Sequence, residues 1–373
     1  MKTLPLSKIW QPVDTTTMLL GMNPFVVRRH KIVLSRVRLL HTVTFASLCL
    51  FLTFYYFDNV ADTTYSKYGS PSVMRFVLSF RLVALTAKLL LVLLLSRNTF
   101  QTVTKAMKNV AGIDRHLTKL GLQQHLEARN HETRQTAVTL LVVINGVFNT
   151  LGSVYNTYCK TTGHVVYFLM SWYPLVVVST HLITQFVVSM VMKVRFEAIN
   201  GVLSDKISES KKCQSYPEVE DFGESLDSLV GLHKGLVGTC EEVYANFSLM
   251  SLVWIVTMFV ILTCDAYAFL HVLMYEETMK YLKIVFGLVK NCTNYIIHLY
   301  WLAKKCNDLC QEAQATKAVL LGVEIDVTKE NERNCVRYSG TCLIHRPECV
   351  QGNVDSNVTS HMFHSILTYN FFF

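Results

Sequence analysis

The chain has 373 residues, of which 51% are hydrophobic and only 17% charged, with a formal net charge of +8 and a mean hydropathy of +0.31. Soluble domains carry nearer a quarter charged residues, so this composition excludes an ordinary soluble enzyme, a disordered regulator and a small disulfide scaffold. The basic residues form no stripe with interleaved aromatics, which excludes a nucleic-acid partner and points to membrane topology as the origin of the charge.

A helix needs about 20 apolar residues to cross the hydrocarbon core. Residues 1–38 are polar, and no apolar signal-peptide core follows Met1-Lys2. Six spans then follow in chain order, at 39–57, 74–96, 136–158, 164–192, 249–274 and 280–302. A seventh, at 355–373, ends with the chain. The short breaks at 58–73, 159–163 and 275–279 alternate with long polar ones at 1–38, 97–135, 193–248 and 303–354. The expected fold is all-α and polytopic, with seven transmembrane helices.

Of the 35 Lys and Arg residues, 27 lie in the long breaks, while the short ones hold only Lys67 and Lys160. The positive-inside rule therefore predicts a cytoplasmic N-terminus, and seven crossings an extracellular C-terminus. Phe54-Tyr55-Tyr56-Phe57 suits an outer aromatic belt. Within the third long break, Phe222, Leu226, Leu229, Val230, Leu232, Leu236 and Val237 recur at helical spacing. The fifth span is therefore expected to continue a long cytosolic helix.

No GxSxG, P-loop or HExxH pattern occurs, which predicts that the chain is not an enzyme and needs no cofactor. Eleven cysteines without a CxxC pair form neither a disulfide framework nor a zinc pattern, so no metal site is expected. Charges inside spans are costly and mark function by default. Arg81 and Lys88 lie two helical turns apart on one face, with Asp265 in the fifth span as a candidate partner for Arg81. Aromatic and polar residues gather in the outer halves of the middle spans: Asn149, Tyr155, Tyr167, Trp172, Tyr173, Tyr267 and His271. With Arg81 and Asp265 they are the candidates for a pocket that takes a small organic ligand from outside. For any one of them, bundle packing or an interfacial belt is the more ordinary role.

His345-Arg346-Pro347, Gly352, Val354-Asp355, His364-Ser365-Ile366 and Thr368-Tyr369 resemble the seventh-helix region of insect gustatory receptors. Upstream, Leu232-His233, Leu236 and Asn246-Phe247-Ser248-Leu249 resemble that family's long helix into the fifth span. Cys310-Gln311-Glu312-Ala313, Thr316 and Leu320-Leu321 resemble its segment after the sixth. The motifs cover about the last 140 residues, and Tyr369 is followed by Asn370-Phe371-Phe372-Phe373 instead of the family's Gln-Phe, as expected of a clipped last helix.

The resemblance implies a ligand-gated non-selective cation channel subunit in the plasma membrane of chemosensory neurons. It implies a small-molecule tastant and a homo- or hetero-tetramer with other receptor subunits. Residues 1–302 would form the ligand-sensing bundle with its cytosolic extensions, 303–354 an anchor, and 355–373 a pore-type helix. Thr368, Tyr369, Phe371 and Phe372 would then be pore or gate residues. An odorant-receptor-type channel, a non-conducting auxiliary subunit and, less well, a solute transporter are the alternatives. The last would be marked by repeated halves, and none is seen.

Overall fold

The computed structural model describes residues 6–28, 31–55, 72–151, 162–210, 216–275 and 306–316, with separate positions between 289 and 304. Helix α1 (Leu6–Leu19) ends on Gly21, whose φ of 69° suits glycine. The Gly21 N–H donates to the Met18 carbonyl at 3.0 Å and the Met22 N–H to that of Thr17 at 2.8 Å. This paired closure satisfies carbonyls that a helix end leaves free. Strands β1 (Phe25–Arg28) and β2 (Lys31–Leu34) follow as an antiparallel hairpin, with Phe25 opposite Leu34 and Arg28 opposite Lys31. The hairpin is the one departure from the expected all-α architecture among the described residues.

Helix α2 (Arg36–Tyr55) buries Thr53 but exposes Val37, Leu40, Val43, Phe51 and Phe54. An apolar surface of this kind is stable facing lipid. Helix α3 (Ser72–Lys119) has 48 residues, about 72 Å of length at 1.5 Å per residue, more than twice the hydrocarbon thickness. It closes as α1 does: Gly121 takes φ 84°, its N–H donates to Thr118 and that of Leu122 to Leu117. Helix α4 (Gln123–Leu140) then runs directly into a π-helical segment, Leu141–Leu151. Helices α5 (Thr162–Ser210) and α6 (Tyr216–Tyr275) have 49 and 60 residues. Residues 306–316 form α7.

Three of the polar breaks are therefore not loops. Residues 1–38 hold α1 and the hairpin, with Ile9, Val13 and Thr17 buried at four-residue spacing. α1 packs on α4, which buries Leu126, Asn130, Thr133 and Ala137 along one stripe. Residues 97–135 carry α3 onward and begin α4; residues 193–248 carry the end of α5 and the start of α6. The helix expected over 222–250 is present as part of α6.

Among the described residues, four helical stretches are long and apolar enough to cross a membrane: Arg36–Tyr55, Ser79–Lys119, Trp172–Lys206 and Ser228–Tyr267. They contain or overlap the first, second, fourth and fifth predicted spans. The third falls across the junction of α4 and the π segment, so its apolar run is divided between two elements. The seventh lies outside the described residues, as does the sixth apart from separate positions.

The chain divides into two compact units, Met1–Val191 with Glu242–Lys305 and Met192–Glu241 with Cys306–Phe373. In the first, a buried cluster joins Met22 and Phe25 to Leu89, Val92, Leu93 and Phe100 of α3, Tyr173, Val177 and Leu182 of α5, and Met250 and Trp254 of α6. The Ser96 hydroxyl donates to the Met22 carbonyl at 2.9 Å and the Thr42 hydroxyl to that of Gly21 at 2.5 Å. The polar backbone between α1 and the hairpin is thus satisfied inside the bundle.

In the second unit, Asn200 Nδ2 donates to the Glu312 carbonyl at 2.9 Å, the Thr316 hydroxyl donates to Asn200 Oδ1, and the His233 Nε2 lies 3.3 Å from the Ala313 carbonyl. Lys193 pairs with Glu197 and Asp308 at 3.5 and 3.8 Å. Together these contacts tie α7 to the ends of α5 and α6 that belong to this unit. Burial pushes the Cys310 thiol up to about 11, which suits a packing role and not a reactive thiolate.

Candidate functional site

The π-helical segment sets the geometry of the site. Its hydrogen bonds span five residues instead of four, and such segments are rare and concentrate at functional sites. The Thr150 hydroxyl repeats the five-residue interval by donating to the Asn145 carbonyl at 2.7 Å. Leu141 and Ile144 are buried, while Val142, Val143 and Val147 face outward. One side of the segment is thus apolar and the other meets α5 with polar groups.

That meeting is a chain of neutral hydrogen bonds. Asn145 Nδ2 donates to Thr180 Oγ1 at 2.9 Å, which turns Asn145 Oδ1 toward Asn149. Asn149 Nδ2 donates to that oxygen at 3.2 Å and to Ser179 Oγ at 2.9 Å. Trp172 Nε1 donates to Thr150 Oγ1, also at 2.9 Å. Asn149 is fully buried, and its Oδ1 has no hydrogen-bond donor. In an apolar bundle each such bond contributes about 0.6–1 kcal/mol, whereas a buried acceptor left without a donor costs about 1–3 kcal/mol.

Arg81 and Asp265, proposed from sequence as partners, do meet. Arg81 Nε lies 2.7 Å from Asp265 Oδ1, and Nη2 donates to Oδ2 at 3.5 Å. The Nε–H is not aligned on Oδ1, so the shorter approach is a charge contact and the aligned bond runs from Nη2. The two side chains are 17% and 13% exposed, so the pair is largely withdrawn from solvent. Lys88, two turns further along α3, is buried as well.

The remaining candidates separate in space. Tyr173 belongs to the buried cluster, stacks on Phe45 at 5.3 Å between ring centroids, and donates its hydroxyl to the Leu20 carbonyl at 2.7 Å. It therefore seats the segment after α1, whereas its neighbour Trp172 joins the asparagine chain. Tyr267 is 37% exposed on α6. Tyr155 and the side chains of Tyr167 and His271 lie outside the described residues, as do Thr368, Tyr369, Phe371 and Phe372.

The structure adds residues the sequence reading passed over: Asn145, Thr150, Ser179 and Thr180. The available signal was the pair Asn145 and Asn149, four residues apart inside an apolar run. It also reveals a polar seam between α5 and α6. Ser189 and Tyr244 share a hydrogen bond of 2.5 Å, and the Ser251 hydroxyl donates to Gln185 Oε1 at 3.4 Å. His181, 4% exposed, lies 5.2 Å from the Phe247 ring with neither imidazole nitrogen hydrogen-bonded. Among the described residues, no group of three or more His, Cys, Asp or Glu side chains is placed to hold a metal. The asparagine chain is equipped for neutral hydrogen bonding.

Comparison with known proteins bears on the whole chain. Residues 15–339 match the family described as 7tm chemosensory receptor. Among solved structures, the insect olfactory receptor OR5 from Machilis hrabei is similar, with a TM-score of 0.56 over 98% of this chain and 98% of that one, at 12% sequence identity. No curated protein matches. At that identity the likeness is one of fold: an all-α, multi-pass membrane protein.

Proposed function

Because the chain belongs to the 7tm chemosensory receptor family, we propose that it is a ligand-gated cation channel subunit of the insect olfactory-receptor type. The chain is a multi-pass membrane protein and not an enzyme. In this reading a small organic molecule binds where the π segment meets α5, and its binding energy favours the conducting state. A ligand shifts such an equilibrium only by its difference in affinity between the two states. The observation that supports the reading best is the fold match over 98% of both chains.

The orientation that suits it has a cytoplasmic N-terminus, so that the π segment lies toward the outer leaflet. Thr368, Tyr369, Phe371 and Phe372 are then the candidate pore or gate residues, in a tetramer of like or mixed subunits. A second reading, a gustatory receptor, is favoured by His345-Arg346-Pro347 and by Thr368-Tyr369. A non-conducting auxiliary subunit is the third.

Heterologous expression, alone and with partner subunits, with current recorded during volatile and soluble chemical panels, separates these readings. Current evoked by volatile organics supports the olfactory type, and current evoked only by soluble tastants the gustatory one. Silence alone with current beside a partner supports an auxiliary role. Ligand-independent solute uptake without current would overturn the channel reading.

A further inference from the structure

Asn149 Oδ1 is a buried acceptor in an otherwise satisfied network, and that makes it specific. Its amide nitrogen donates twice, to Asn145 and to Ser179. Turning the Asn149 amide over would set its oxygen against that of Asn145 and break that bond, because the Asn145 Nδ2 to Thr180 bond places the Asn145 oxygen toward Asn149. In this arrangement the orphan is an oxygen, and what it lacks is a donor. Buried polar atoms without a partner are rare in folded proteins, and each calls for a physical account.

Two neighbouring donors are engaged elsewhere. Trp172 Nε1 donates to Thr150, and the Thr150 hydroxyl donates to the Asn145 carbonyl. Ile144 on the π segment and Val176 and Ile183 on α5 are buried apolar side chains of the same two elements, a setting that admits an organic molecule more readily than an ion. Among the described residues, no charged side chain takes part in the hydrogen-bond chain of Asn145, Asn149, Thr150, Trp172, Ser179 and Thr180, so a full charge is poorly matched here.

We infer that Asn149 Oδ1 selects ligands by accepting a hydrogen bond, and that the chemical class taken at this site is a neutral organic molecule bearing a hydroxyl or N–H donor. The inference rests on the chemoreceptor reading for its consequence in gating, but the recognition step stands on the orphaned oxygen alone. A site that offers a buried acceptor rejects an analogue lacking the donor, since that analogue leaves the acceptor desolvated and unmatched. An ether of the same size and shape is such an analogue.

The test compares isomeric pairs that differ in the donor: primary alcohols against their isomeric methyl ethers, and cresols against anisole. Two readouts are taken on the full chain. One is the ligand-induced rise in thermal unfolding midpoint of purified protein, the other the evoked current in expressing cells. Donor-bearing members are expected to bind roughly tenfold more tightly than their ether partners. In Asn149→Leu that preference falls to near unity, with ether binding retained. In Ser179→Ala, which keeps the acceptor, it persists.

Stabilisation by alcohols over ethers without current supports the inference and counts against the channel reading. Current with equal sensitivity to both members of each pair overturns the inference, because a water molecule then serves Oδ1, and leaves the channel reading intact. Loss of all binding in Asn149→Leu, with Ser179→Ala equally impaired, also overturns it by showing a structural role. Absence of binding by every probe to the folded wild-type protein overturns it as well.

Discussion

The Arg81–Asp265 pair allows the sharpest energetic prediction. Two unit charges about 4 Å apart at an effective dielectric of about 20 attract by about 4 kcal/mol. Here the closest approach is 2.7 Å and both side chains are more than four-fifths buried, so solvent screening discounts little. Removing one partner leaves the other charge withdrawn from water without this ion pair, which costs about 3–5 kcal/mol. Asp265→Ala and Arg81→Ala are each expected to fall in that range. The double variant is expected to cost far less than the sum, because neither charge then remains. The exchanged pair, Arg81→Asp with Asp265→Arg, should recover part of the loss. The assay is equilibrium unfolding in mixed micelles of increasing denaturing-detergent fraction, read by tryptophan fluorescence for all four variants. Single-variant costs that add to within about 0.5 kcal/mol would show that the two residues are not coupled, and would refute the reasoning.

Gly21→Ala is expected to lower stability by about 1–2 kcal/mol, since φ is +69° there and an added Cβ would lie 3.3 Å from Thr42 Cα; the same unfolding assay checks it. Asn200→Ala removes bonds at both Glu312 and Thr316, and is expected to accelerate backbone hydrogen exchange across 306–316 by about tenfold. Lys105→Ala is expected to change stability by less than about 0.5 kcal/mol despite its 2.7 Å contact with Glu242, because both side chains are well exposed. Cys310, with its thiol pushed up to about 11, should resist maleimide at pH 7 in the folded protein and react after unfolding, as mass spectrometry would record.

Hydropathy and charge marked where membrane helices lie because burying apolar surface depends on composition alone. The first, second, fourth and fifth spans coincide with or overlap long apolar helices for that reason. The same criterion misjudged the polar stretches. A segment such as 97–119 is polar enough to read as a loop, yet it continues α3 because Val103, Ala106, Val110, Ile113 and Leu117 still form one buried stripe. Its end was legible in principle, as Gly121 stands where a left-handed closure needs it. The burial of α1 was not, since Ile9, Val13 and Thr17 form too short a stripe to signal a partner.

The candidate site divides along similar lines. Arg81 and Asp265 could be named from sequence because charge inside an apolar run is conspicuous wherever it occurs. Their meeting depends on α3 and α6 lying side by side, 184 positions apart in the chain. Trp172 and Tyr173 are adjacent and chemically alike, yet one bonds Thr150 and the other the Leu20 carbonyl. Successive residues on a helix point about 100° apart, so adjacent side chains meet different neighbours.

Composition and residue order, by themselves, determined that this is a helical membrane protein and where most of its described spans run, because the cost of exposing apolar surface is a property of each segment. Which polar side chains find partners, and that Asn149 keeps one oxygen without a donor, was decided only by tertiary structure. Hydrogen bonds depend on distance and direction between atoms that the chain order does not bring together.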